Sequence, residues 1–293
     1  MGLRVGATLL ERAPAKINLT LRVRGRRADG YHELESLVAF ADVADKLRLE
    51  PGSKDTLDIA GPFAADSGAV SDNLVLKALG AARTYIGAVK AGRFSLEKNI
   101  PVAAGLGGGS ADGAATLRLI ASANGIALDD ARIMSAARAV GADVPVCLAS
   151  RPRIMRGVGE LLSDPVDLPP LAGLLVNPRI PLSTRDVFGK FAGAQVGNDL
   201  GDVPRELGSL IDFLKLNGND LTPAARACLP VVGEVLKALE TLPGARLARM
   251  SGSGATCFAL FSAPSEAATA ARRLAGERKD WWVQAATIGS GEL

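Results

Sequence analysis

The stretch Pro101 to Ile120, PVAAGLGGGSADGAATLRLI, sets four glycines among the five positions Gly105 to Gly109 and then runs straight into an alanine-rich helical pattern. Glycine loses more conformational freedom on folding than any other residue, so such a run is costly unless the backbone itself has to approach something closely. A glycine turn feeding a helix aims unpaired N–H groups and the positive end of the helix dipole at one point, which suits phosphate. The same shape also suits a tight strand-to-helix connection with no ligand. Two common phosphate loops do not fit. GxxxxGK[ST] fails because Ser110, Ala111 and Asp112 follow Gly109, and GxGxxG from Gly105 meets Ser110 at its last position. The helix is expected to open near Ser110, whose hydroxyl could cap it, ligate Mg²⁺, or do both.

Bulk properties narrow the remaining choices. The 293 residues, 48% hydrophobic and 22% charged, have an ordinary globular composition with room for two domains. With 34 basic against 31 acidic side chains the net charge is +3, and the one dense basic run is Arg22 to Arg27, RVRGRR. That is too little for a nucleic-acid-binding stripe, although it could serve a phosphorylated small molecule. Cys147, Cys228 and Cys257 are odd in number, far apart and set in apolar sequence, as in a reduced cytoplasmic protein. No signal or myristoylation pattern opens the chain and no apolar run of about 18 residues offers a membrane span, so a cytoplasmic protein is expected. His32 is the only histidine, which removes multi-histidine metal sites.

Strand-like and helix-like segments alternate. Residues 15–23 have period two, with Lys16 and Asn18 on one face and Ile17 and Leu19 on the other. Further strands are expected at 35–41, 45–50, 56–60 and 93–98, and helices at 74–86, 110–124 and 129–140. The four prolines between Arg151 and Pro170 mark a change of domain. Beyond it a strand at 171–177 precedes helical stretches at 185–191, 207–215 and 229–241. Strands at 246–250 and 256–261, a helix at 265–275 and a last strand at 281–288 complete an α+β order.

Three segments together carry a resemblance. APAKINLTL near the amino end, PVAAGLGGGSADGAA, and SGSGATCFALF from Ser251 occur in the order seen in the GHMP kinase superfamily, which the chain resembles. Within it, APAKINLTLRVRGRRADGYHELESL, GADVPV from Gly141 and RGVGE from Arg156 resemble the branch acting on a cytidine-diphosphate-linked methylerythritol. The resemblance implies a two-domain α+β fold. Residues 1–162 would form a ribosomal-protein-S5-domain-2-like domain with the ATP phosphate loop, and 163–293 an α/β-plait-like domain on the substrate side. It also implies ATP-dependent phosphorylation of a small-molecule hydroxyl, with ATP and Mg²⁺, by a monomer or homodimer that engages neither nucleic acid nor membrane. A kinase for homoserine, mevalonate or a sugar, or a nucleotide-binding protein without catalysis, are the alternatives.

Residue roles follow from the same matches. Asp143 would be the general base, although Asp before Val144 and Pro145 is equally a helix N-cap. Lys16 would keep Asp143 ionised and stabilise the alkoxide. Asn18, Tyr31, His32, Thr184, Phe188, Gly252, Ser253 and Gly254 would hold the substrate, with Tyr31 and Phe188 stacking on cytosine and His32 bonding its edge. The SGSGAT loop is also explained as a glycine-rich hairpin turn. Pro101, Ala104, Gly105, Leu106, Gly107, Gly108, Gly109, Ser110 and Ala111 would cradle ATP. Asn73 and Lys98 fall at its nucleotide contacts, or are a helix start and a surface charge. Three residues depart from the family pattern. Ala111 stands where serine is common, Asp112 replaces asparagine and is expected to point away from phosphate, and Cys147 replaces an aromatic behind Asp143.

Overall fold

In the computed structural model, which describes residues 7–193 and 199–291, β1 (Leu9–Asn18) and β2 (Arg22–Arg26) lie along one edge of a 20-residue strand, β3 (His32–Pro51). Val38 to Leu49 of β3 pair with β1, and His32 to Glu35 pair with β2. β4 (Thr56–Ala60) follows, then α1 (Leu74–Ile86), capped by Asn73 and stopped at Gly87 with φ +100°. β5 (Gly92–Glu97) returns parallel to β4, and the glycine stretch leads into α2 (Gly108–Asn124), α3 (Ala131–Val140) and α4 (Val144–Ala149). β6 (Arg153–Gly157) and β7 (Leu161–Leu162) close the first half.

The second half adds β8 (Leu171–Asn177), α5 (Thr184–Lys190), α6 (Leu207–Leu216), α7 (Thr222–Cys228) and α8 (Val231–Glu240). β9 (Leu247–Met250), β10 (Cys257–Phe261), α9 (Pro264–Glu277) and β11 (Trp282–Gly289) end the described chain. One sheet runs through both halves in the order β4-β5-β3-β11-β8-β10-β9. The second edge of β3 takes β6, β11 and β5 in turn along its length, and β11 joins β3 to β8.

Alternation along the strands divides the core. Val38 and Phe40 face a cluster built by α1 to α4, while Leu37 and Ala39 face one that includes Leu210, Ile211 and Leu214 of α6. β10 alternates likewise, Cys257, Ala259 and Phe261 packing with α7, α8 and α9 and Phe258 and Leu260 with the α6 cluster. Residues 111–121 of α2 are buried on every side between β1 and the helices α1, α3 and α4. Close packing all round leaves room only for small side chains at many positions, which explains the alanines.

Several expected boundaries move. The strands at 35–41 and 45–50 are one strand, because β3 bulges at 41–43 opposite Ala15 instead of ending, and its Asp42 accepts a hydrogen bond from the Thr287 amide at 3.0 Å. The strand expected at 15–23 splits after Asn18, where Leu21 leaves β3 and pairs with Asn219. The helix expected at 229–241 is α8, which opens after Pro230, and α7 just before it was not expected. α2 opens two residues early, with Gly107 at its N-cap in left-handed geometry, so Ser110 is the third residue of the helix and not its cap.

Candidate active site

The end of β1, the start of α2, the residue before α4, the β9–β10 hairpin and α5 converge on one cleft of about 530 Å³. β1 delivers Lys16 and Asn18 to it. Both are buried, at 4% and 2% exposure, so the polar face of this strand points into the molecule. The Lys16 ammonium lies 2.7 Å from the Asp143 carboxylate across 127 residues of sequence. Asp143 occupies the N-cap position of α4 without making a side-chain cap; its carboxylate goes to Lys16 instead. Cys147, one turn on, is wholly buried, and burial together with the Asp143 charge pushes its thiol up to about 12. The space behind Asp143 is thus filled by an inert thiol.

The glycine loop sits directly on this pair. The Lys16 amide donates to the Leu106 carbonyl at 2.8 Å, and a Cβ on Gly107 would lie 3.2 Å from the Lys16 Cβ. Gly105 and Gly107 both have positive φ, +74° and +61°. Gly105 must be glycine for a second reason: a Cβ there would meet the Ser251 carbonyl oxygen at 2.4 Å. The amides of Gly108, Gly109 and Ser110 donate to no group among the described residues, the first engaged being Ala111, to the Gly107 carbonyl at 2.9 Å. Three free donors at a helix start form a site for phosphate oxygens. The Ser110 hydroxyl is likewise uncommitted among the described residues.

Lys98 is no surface charge. It is 3% exposed, and its ammonium bonds both Asp112, at 2.7 Å, and Asp45. Burial alone would lower Lys98, but the two carboxylates raise it, while burial pushes Asp112 up to about 8 against the pull of Lys98. Asp112 is therefore turned to Lys98 in the cleft wall and not out to solvent. Asp45 also accepts the Ile100 amide at 2.9 Å, which anchors the chain just before the glycine loop. Asn73 lines the cleft, but its side chain caps α1 through the Val75 amide at 2.9 Å.

The hairpin between β9 and β10 closes the other side. It is a glycine-rich hairpin and a cleft wall at once. The Ser251 hydroxyl accepts the Asn18 amide at 3.1 Å and donates to the Gly105 carbonyl at 2.9 Å, so one oxygen ties β1, the glycine loop and the hairpin together. The Asn18 side chain donates to Ser36 at 2.7 Å, and its carbonyl oxygen, buried without a partner among the described residues, would lie 3.4 Å from a Cβ on Gly252. The hydroxyls of Thr184 and Ser253 are 2.8 Å apart.

A second cavity opens beyond Thr184, Phe188, Leu34 and Val158, which line both. There His32 stacks on Phe188 with ring centroids 4.9 Å apart and 27° between planes, and Phe191 meets the imidazole edge-on at 6.1 Å. Burial and the nearby Arg26 charge lower His32, which keeps its ring neutral at neutral pH. Tyr31 stands beside it, 66% exposed.

Of the residues expected from sequence, Lys16, Asn18, Asn73, Lys98, Pro101, Ala104, Gly105, Gly107 to Ser110, Asp143, Thr184, Phe188, Gly252 and Ser253 line the first cleft, and Tyr31 and His32 the second. Leu106 and Ala111 are buried in the core, and Gly254 packs on Met250 and Leu182. Sequence reasoning missed Ser36, Asp45 and Phe191. Phe191 follows Phe188 at helical spacing and was legible; Asp45 carried no local signal.

The chain as a whole has counterparts among known proteins. The model of the GHMP kinases N terminal domain matches residues 73–151, and that of GHMP kinases C terminal matches residues 202–279. The 4-diphosphocytidyl-2-C-methyl-D-erythritol kinase of Rhodopseudomonas palustris (strain BisB5) is 51% identical over 96% of this chain and 99% of its own. The chain belongs to that GHMP kinase family. The relative of the same name from Bradyrhizobium diazoefficiens is 50% identical, covering 96% of this chain and 98% of its own. A crystal structure of a 4-(cytidine 5'-diphospho)-2C-methyl-D-erythritol kinase superposes with a TM-score of 0.78 at 35% identity, over 97% of this chain and all of that one. Membership of a GHMP kinase family brings ATP as phosphate donor, and the free amides of the glycine loop fit its phosphates. Among the described residues no helix is long and apolar enough to cross a membrane.

Proposed function

We propose that the protein transfers the γ-phosphoryl group of ATP to the 2-hydroxyl of 4-(cytidine 5'-diphospho)-2-C-methyl-D-erythritol, in the cytoplasm, on the non-mevalonate route to isoprenoids. The observation that carries this is the Lys16–Asp143 pair at 2.7 Å beneath the glycine loop, in a cleft continuous with an aromatic cavity. Asp143 takes the proton as the substrate oxygen attacks the γ-phosphorus, and the bond from that phosphorus to the β-phosphate oxygen breaks, releasing ADP. Lys16 stabilises both the ionised Asp143 and the forming alkoxide. The amides of Gly108 to Ser110 take up charge on the phosphates. The Asn18 carbonyl oxygen offers an acceptor to a substrate hydroxyl.

Mg²⁺ fits this site as a companion of ATP. Magnesium is held chiefly by phosphates and water with one or two protein oxygens, and Ser110 would supply one. Among the described residues no cluster of three or more His, Cys, Asp or Glu could cage a metal. When bound, the ion neutralises charge on the transferring phosphates.

In the aromatic cavity the cytosine base would lie among Tyr31, His32 and Phe188, with a neutral imidazole to bond its edge. The test is a substrate panel: the cytidine-linked methylerythritol, homoserine, mevalonate and galactose, each with Mg-ATP, with ADP release measured. ADP is expected with the first alone. Turnover of another acceptor in its place would move the protein to a different branch, and ATP binding without turnover of any would make it a non-catalytic nucleotide-binding protein.

A further inference from the structure

Three cations line the aromatic cavity, Arg26, Arg185 and Lys190, against one carboxylate, Asp186. Lys190 is committed, its ammonium donating to the Ala227 carbonyl at 3.1 Å. Arg26 and Arg185 make no hydrogen bond or ion pair among the described residues, although the neighbouring Arg27 has three acidic partners within 4.0 Å. Their placement follows from backbone geometry. Arg26 of β2 is the direct cross-strand partner of His32 on β3, so the two side chains leave the same face of the sheet as neighbours. Arg185 precedes Phe188 by three residues on α5 and shares its helix face. His32 and Phe188 are the stacked pair. Two uncommitted guanidinium groups therefore flank one aromatic stack, one from each half of the chain.

Flat rings suit a base, and a guanidinium fork suits phosphate oxygens bidentately. Thr184, next to Arg185, lines the reaction cleft as well, so a molecule seated on the rings passes these cations on its way to Asp143. We propose that Arg26 and Arg185 together recognise the diphosphate bridge of the nucleotide-linked substrate, making the cavity selective for a nucleoside diphosphate over a nucleoside. This rests on the reaction assigned above and extends it to residues that perform no chemistry.

The test is an affinity ladder of cytidine, CMP and CDP, measured calorimetrically on the full chain. The wild type is expected to bind CDP about tenfold or more tightly than cytidine, the size of one or two charge-assisted hydrogen bonds. That gain should shrink as salt is raised. In R26Q/R185Q cytidine should bind as before while CDP falls to within about twofold of it. Both positions are exposed, and an unchanged cytidine affinity itself reports an intact cavity. Equal wild-type affinities for cytidine and CDP overturn the proposal, as does a double variant that keeps the gain or loses cytidine and CDP equally. A wild type that binds neither overturns the assigned substrate, and this proposal with it. As a kinetic check, the double variant should raise KM for the cytidine-linked substrate and leave KM for ATP unchanged.

Discussion

The two cavities are built from the same chain by opposite means. At the reaction cleft the lysines and the hairpin serine are buried and held, Lys16 by Asp143, Lys98 by two carboxylates, the Ser251 hydroxyl by two backbone groups, while the glycine-loop amides stay open. At the aromatic cavity the working groups are exposed or half-buried side chains on β2, β3 and the turn between them and on a seven-residue helix, with few partners. Transferring a phosphoryl group demands fixed charges that need no reorganisation, whereas gripping a flat base tolerates surfaces that adjust. Damage at the first cavity should therefore appear in kcat or in folding, and damage at the second in KM.

Apart from loss of Asp143 itself, the largest effect expected along this divide is from Lys16→Met, which keeps the stem against Gly107 and removes the ammonium. kcat should fall by about 10²- to 10³-fold, as for loss of one transition-state charge donor, with KM for either substrate little changed in steady-state assays. A variant that altered only KM would erase the distinction. Gly105→Ala comes next and should act on stability: with φ at +74° and the Ser251 oxygen 2.4 Å from the new methyl, the loop and hairpin must part. A cost of about 1–3 kcal/mol is expected for such backbone strain, read as a fall in thermal midpoint, and phosphate protection against unfolding should vanish with it.

At the aromatic cavity Phe188→Ala should raise KM for the cytidine-linked substrate by roughly tenfold, the upper range for a lost ring stack, while kcat and KM for ATP hold. The smallest effect concerns pH. His32 is lowered below the usual histidine value by burial and by Arg26, so it is neutral throughout the range above that value. Its proton binds more weakly folded than unfolded, so folding gains nothing from His32 at high pH and loses a little as pH falls through the ordinary histidine range. KM for the cytidine-linked substrate should accordingly be flat above neutrality and rise a few-fold only in acid. His32→Gln should flatten that rise, and a rise on the alkaline side instead would assign the ring the wrong charge.

Legibility in the sequence divides along the same line. The glycine run could be read because a backbone-built phosphate site needs residues without side chains, whereas the roles of Lys16 and Asp143 came from the resemblance of APAKINLTL and GADVPV to family segments. What no local pattern announced was pairing over long separations: Asp45 holding Lys98 across 53 residues, or Ser251 reaching both Asn18 and Gly105. Ser110 was misplaced at the helix start because glycine in left-handed geometry can take the cap position without a capping side chain. The continuous strand β3 was read as two because its bulge looks, in sequence, like a turn.

The central claim is that a carboxylate at the start of α4, paired with a buried lysine, takes the proton during phosphoryl transfer. Single-turnover ADP formation with saturating Mg-ATP and cytidine-linked methylerythritol, comparing wild type with Asp143→Asn, tests it most directly. The rate should fall by about 10²- to 10⁴-fold, the range for loss of a general base, while ATP still binds. A variant that keeps the wild-type rate would contradict the account.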